Sequence, residues 1–222
     1  MVHFGCPPTE NCYRVFLSHK TEVKRETYAL KEKLRIYGIS AFVAHEDIDP
    51  TKEWQKEIEN ALSSMDCFVA LLTEQFHDSI WTDQEVGYAL GRGVPMISVR
   101  LGKDPYGFIG KFQALSCSWG MAPIEIAKIL INYESMKNSY ITSIKNCRTF
   151  DIGMALSKLL PFINDLNLSQ ISKLIEAFNE NMYINGCFGF NGVSKAYGGG
   201  LAMHLSRIAE IGYNIDSNGK IY

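Results

Sequence analysis

The segment Ser79-Ile80-Trp81-Thr82-Asp83-Gln84-Glu85 places a large aromatic and a carboxylate four residues apart. On a helix of 3.6 residues per turn, that spacing brings Trp81 and Glu85 onto one face. An aromatic plane beside a carboxylate suits cleavage of a glycosidic bond in a nucleotide. The ring stacks on a base, and the carboxylate hydrogen-bonds a ribose hydroxyl and stabilises the oxocarbenium-like charge that grows as the base leaves. Where the base is the nicotinamide of NAD, the leaving group is already cationic and no strong general acid is needed.

The same residues admit a purely structural reading. Thr82-x-x-Glu85 has the form of a capping box, in which Glu85 returns to the backbone N–H of Thr82. Trp81 would then be a staple into the core. Capping boxes are the commoner occurrence, and spacing alone leaves both readings open.

The elements that must position this segment are legible as alternating strands and helices over the first 135 or so residues. Tyr13–Ser18 reads as a buried strand of β-branched and aromatic residues. A helix follows from about Thr21, with Val23, Leu30, Leu34 and Tyr37 on one stripe and Gly38 at its end. Ile39–Ala44 is a second strand. The polar loop His45–Thr51 leads into a helix marked by Trp54, Ile58, Ala61, Leu62 and Met65. Asp66 opens the strand Cys67–Leu72, apolar throughout, as expected of a parallel sheet covered on both faces. A helix over Ile80–Arg92, Gly93, the strand Pro95–Val99 and a helix from Ile124 to about Glu134 complete the series. Such alternation predicts right-handed crossovers and an open α/β sheet, with ligands outside the carboxyl ends of the strands. The loops at Ser18–Lys20, His45–Thr51, Thr73–Trp81 and Arg100–Gly107 are therefore the places for a site.

Beyond Ser135 the pattern becomes helical. Ile152, Leu156, Leu159, Leu160 and Ile163 form a stripe that Pro161 kinks or ends. Ser169 is the expected cap of a helix bearing Ile171, Leu174, Ile175 and Phe178. A glycine-rich stretch, Gly186–Gly200, precedes a helix near Leu201–Ile211 and a polar tail. The expected division is 10–135 for the α/β domain and 139–222 for a small, mostly helical accessory domain.

Composition narrows the functional classes. The 222 residues carry 22 Lys+Arg against 24 Asp+Glu, a net charge of −2, with 46% hydrophobic residues. That is globular, with no basic surface for nucleic acid and no polybasic membrane patch. The longest apolar run, Cys67–Leu72, is far short of the ~20 residues of a membrane span. The N-terminus has no basic segment followed by an apolar one, so no signal peptide is expected. The six cysteines form no CxxC pair, which gives zinc or redox motifs no support. A reduced, cytoplasmic protein without a metal is the expectation.

Taken jointly, Phe16-Leu17-Ser18-His19, Asp47-Ile48-Asp49-Pro50 with Trp54 and Ile58, and Ser79-x-Trp81-x-x-x-Glu85 resemble a TIR (Toll/interleukin-1 receptor) domain over about residues 10–135. The resemblance implies a flavodoxin-like parallel sheet flanked by helices. It also implies the activity of bacterial, plant and axonal TIR enzymes, which cleave NAD between nicotinamide and ribose to give ADP-ribose or cyclic isomers. Glu85 matches their catalytic glutamate, and Trp81 resembles the aromatic on the nicotinamide side. Ser18, His19 and Lys20 resemble the loop lining the nucleotide. Asp47 lies in the segment matching the BB loop, which moves on substrate binding and contacts neighbouring TIR domains. That loop departs from the family's Arg-Asp-x-x-Pro-Gly, reading Glu46-Asp47-Ile48-Asp49-Pro50-Thr51. By the same resemblance NAD is substrate rather than cofactor, the partners are further TIR domains and an effector protein that responds to a nucleotide signal, and the setting is bacterial anti-phage defence.

Two other readings stand beside this one. Glu85-Val86-Gly87-Tyr88-Ala89-Leu90-Gly91-Arg92-Gly93-Val94-Pro95 also resembles nucleoside deoxyribosyltransferases and nucleotide N-glycosidases, which share the chemistry but take a nucleoside or nucleotide. A TIR adaptor acting only through TIR–TIR contacts is the third, although it has no need of the Trp81/Glu85 pair. A phosphoacceptor receiver is disfavoured, since Ser18-His19-Lys20 offers no acidic pair for Mg²⁺. His19 divides between nucleotide contact and loop packing. His45 and His77 read as loop residues, Trp54 as core or loop anchor, and Gly198-Gly199-Gly200 as a hinge rather than a phosphate cradle.

Overall fold

The computed structural model describes residues 12–43 and 54–222, the side chain of Trp54 excepted. The loop anticipated at His45–Thr51, with Asp47, lies outside them. The chain divides into two compact units, residues 1–35 with 39–126 and residues 36–38 with 127–222.

The first unit holds a five-stranded parallel sheet. Its strands are β1 (Tyr13–Ser18), β2 (Ile39–Phe42), β3 (Cys67–Leu72), β4 (Met96–Arg100) and β5 (Leu115–Ser116). The helices α1 (Lys24–Arg35), α2 (Trp54–Ser64), α3 (Ile80–Arg92) and α4 (Ala122–Leu130) alternate with them. The spatial order is β2-β1-β3-β4-β5, the flavodoxin-like arrangement in which the winding reverses between β1 and β3. β3 is buried at every position, which is why it reads as an unbroken apolar run. Phe16 stacks on Phe42 and Phe68 with ring centroids 5.4 and 5.7 Å apart, tying β2, β1 and β3 together.

The register of β1 against β3 has an ionic pin at its amino end. Asp66 accepts from the backbone N–H of Arg14 at 2.8 Å and from its guanidinium at 3.1 and 2.9 Å. Val15 then pairs with Cys67 and Ser18 with Ala70. A one-residue slip would break that fork.

β5 is absent from the sequence reading, because two residues give no periodicity to detect. Cys12 is disulfide-bonded, so the expectation of a wholly reduced chain does not hold there. Cys67, Cys117, Cys147 and Cys187 are free thiols. No helix among the described residues is long and apolar enough to cross a membrane.

The second unit is helical: α5 (Glu134–Lys145), α6 (Phe150–Ser157), α7 (Leu168–Glu180), α8 (Met182–Asn185), α9 (Phe188–Asn191) and α10 (Gly200–Ala209). α5 is a helix where the sequence reading placed a boundary. Its apolar stripe of Met136, Tyr140, Ile141 and Ile144 is buried but interleaved with Ser, Asn and Thr. α7 is capped by Asn167, not Ser169. Asn167 accepts from Gln170 N–H at 2.9 Å, and the Gln170 side chain accepts from Asn167 N–H at 3.1 Å. Pro161 falls in a 3₁₀ turn after α6, ending that helix as expected.

Gly192 and Gly200 adopt positive φ (69° and 75°), and a Cβ on Gly192 would sit 2.5 Å from Gly199 O. The backbone is tightly packed at these two positions, whereas a Cβ on Gly198 would meet nothing within 4 Å. The polar tail also returns. Ile221 exchanges hydrogen bonds of 2.8 and 3.0 Å with the side chain of Asn179 on α7.

Candidate functional site

α3 starts at Ile80 with Ser79 in the N-cap position, and this decides the role of Thr82 and Glu85. Thr82 is already inside the helix. Its one hydroxyl proton is shared between Phe76 O at 2.6 Å and Ser79 O at 2.8 Å, securing the 3₁₀ turn Phe76–Asp78 against the helix start. The capping box read from spacing does not form, because the frame begins three residues earlier.

Glu85 is one turn further on and only 6% exposed. It reaches across to β1 instead of back to its own helix. Ser18, the last residue of β1, donates its hydroxyl to Glu85 Oε2 at 2.5 Å. Ser18 is 1% exposed. Burial pushes the Glu85 carboxyl up to about 7, and the bond from Ser18 opposes that rise in part. A buried carboxylate held by one neutral hydroxyl is costly as a structural feature, and such groups cluster where chemistry is done.

Trp81, one turn before Glu85, is 42% exposed, so it is not a core staple. His19 is buried, with Nδ1 3.2 Å from Leu17 O. Lys20 Nζ lies 3.5 Å from Glu22 and 3.9 Å from Asp78, linking the loop after β1 to that after β3. Ser18, His19 and Lys20 thus come from the end of β1 and the loop after it, and Trp81 and Glu85 from the first turns of α3, which follows β3. Asp47 is outside the described residues.

Two groups at this end of the sheet escaped sequence reasoning. Tyr106, from the loop after β4, donates its hydroxyl to Asp83 Oδ1 at 2.5 Å. Burial, then that bond, then the charges of Asp83 and Asp78 push the phenol up. His77, in the 3₁₀ turn, meets the Tyr106 ring edge-on at 5.6 Å and Asp78 at 3.4 Å. The loop Arg100–Gly107 is one of those expected to carry a site, but nothing in spacing pairs a tyrosine with an aspartate 23 residues earlier. No group of three His, Cys, Asp or Glu able to hold a metal occurs among the described residues.

Strand order, helical cover and polar residues gathered at the carboxyl ends of the strands define an α/β domain of the flavodoxin-like class, with a candidate site at its switch point. The TIR domain family model matches residues 15–129, more than half of the 222-residue chain. The chain belongs to the TIR domain family. Among solved structures it is similar to the TIR domain of the Toll-related receptor TRR-2 from Hydra magnipapillata, at 17% identity and a TM-score of 0.44, over 55% of this chain and 96% of that one. Comparison with curated proteins gives no significant match.

Proposed function

We propose that this TIR domain is an enzyme that breaks the bond between nicotinamide and ribose in NAD, with Glu85 as its catalytic carboxylate. One observation carries the reading: Glu85 is buried near the β1/β3 switch point, and its side chain is bonded to Ser18 at the end of β1 rather than to its own helix. With Oε2 engaged by Ser18, Oε1 is available to a ribose hydroxyl. The bond from ribose C1′ to the pyridine nitrogen breaks, and its electron pair leaves with neutral nicotinamide. The cationic sugar carbon, braced by the Glu85 anion, is captured by water to give ADP-ribose and a proton, or by a nucleophile of the same molecule to give a cyclic product. NAD is the substrate, and no resident cofactor is invoked. Trp81, half-exposed one turn away, supplies the aromatic face for nicotinamide, and His19 and Lys20 border the nucleotide.

Assembly and biology extend the proposal. Further TIR domains are the partners for self-association, and the product acts as a signal to an effector protein or the loss of NAD is itself the output. Bacterial anti-phage defence is the setting this serves. The test is incubation of concentrated protein with NAD, CMP and deoxynucleosides in parallel, with products identified by mass. Release of nicotinamide from NAD alone supports the reading. Base release from CMP or deoxynucleosides would move the chain to the N-glycosidase class, and no turnover at any concentration would leave an adaptor.

A further inference from the structure

Ser18 resembles a residue that lines the nucleotide, but its surroundings fit another task. Its backbone sits in the β1–β3 ladder opposite Ala70, and its side chain is sealed from solvent. A serine hydroxyl has one proton to donate, and Ser18 gives it to Glu85 Oε2. We propose that Ser18 is a positioning residue, which fixes the Glu85 carboxylate at the strand end and donates to its charged form instead of binding the nucleotide. The proposal rests on Glu85 being the reacting carboxylate.

The physical argument concerns which form of Glu85 the site can tolerate. Burial drives the carboxyl toward its neutral form, and a neutral acid cannot brace a cationic sugar. A hydrogen bond to the charged form acts in the opposite direction. The other titratable groups on α3 and the elements packed against it are Tyr13 and Arg14 on β1, with His19 and Lys20 after it, Lys56, Glu57 and Glu59 on α2, Cys67 on β3, His77 and Asp78 before α3, and Asp83, Tyr88 and Arg92 on α3. Lys20 and His77 lie against Asp78, and Tyr106 bonds Asp83. The influences on Glu85 are burial first and Ser18 second. Among the described residues, Ser18 is therefore the bonded group that favours the charged form of Glu85 against burial.

The test combines a direct titration with kinetics on the full chain. Carboxyl ¹³C chemical shifts of glutamate-labelled protein, with Glu85→Gln to assign the signal, give the Glu85 midpoint without any substrate. Ser18→Ala should raise that midpoint by about one to two pH units, the size expected for a charge-assisted bond. Ser18→Thr, which keeps the hydroxyl, should hold it near the wild-type value. Ser18→Cys, a weaker donor, should fall between them and serves if the alanine variant does not fold.

In NAD cleavage, the acid limb of kcat/KM should move by the same amount in Ser18→Ala, cutting kcat/KM at pH 7 by about 5- to 50-fold while KM changes little. An unmoved midpoint, or a raised KM with an unmoved pH profile, would overturn the assignment and return Ser18 to the substrate. Because the titration needs no turnover, an inactive protein with a shifted midpoint would reject the NAD reading and keep the Ser18–Glu85 coupling.

Discussion

Glu85 combines two properties that a structural glutamate has no reason to carry together: deep burial and, among the described residues, a neutral hydroxyl as its bonded partner. The cost is visible through linkage. Its carboxyl stands at about 7 in the fold against an ordinary value of 4.5, so the folded state binds more protons than the unfolded state between those values. Stability therefore falls as pH rises through that window, by an upper bound of about 3 kcal/mol. Glu85→Gln removes the charge and keeps an acceptor for Ser18. It should match wild type near pH 4 and unfold at a higher temperature above pH 7, as read by thermal scans across pH. Equal or lower stability at pH 8 would mean that the carboxylate is well accommodated and the site is not strained. Trp81 is half-exposed, so Trp81→Ala should leave the melting temperature nearly unchanged and raise KM for NAD or alter product partition. An insoluble variant would mark it as core.

At the scale of elements, what was readable follows from how each element is stabilised. Parallel strands buried on both faces write themselves as apolar runs, so β1 and β3 are plain in the sequence and β4 is displaced by one residue. β5 is too short for any pattern, and α5 hides its stripe among polar residues. The frame of α3 is subtler. Thr82 resembles a cap by spacing, yet the 3₁₀ turn at Phe76–Asp78 starts the helix at Ile80 and leaves Thr82 to bond backward.

Asn181 shows how much a single polar side chain can do between elements. Its two amide N–H groups are shared among the carbonyls of Ile144, Lys145 and Cys147 at 3.3, 3.0 and 2.9 Å, while its oxygen accepts from Tyr183 N–H at 2.9 Å. It closes the end of α5 and caps α8 together. Asn181→Ala should destabilise the second unit by about 1–3 kcal/mol in urea unfolding, and a loss below a few tenths would show that water replaces those bonds.

At the scale of the molecule, the TIR assignment and the alternating sheet were open to sequence reading because order along the chain carries them. The Ser18–Glu85 bond was not, since its partners are 67 residues apart and only the β2-β1-β3 winding brings them together. Self-association is the remaining proposal at this scale. If neighbouring TIR domains complete the site, activity per protomer should rise with protein concentration in step with assembly measured by sedimentation. A flat dependence would assign the full site to one chain. The most direct measurement is nicotinamide release from NAD by concentrated wild-type protein and by Glu85→Gln, with folding of both verified. The wild type should release nicotinamide, and the variant should be slower by about 10²–10³-fold or more while remaining folded. Equal release by the two proteins would remove Glu85 from the chemistry and contradict the account.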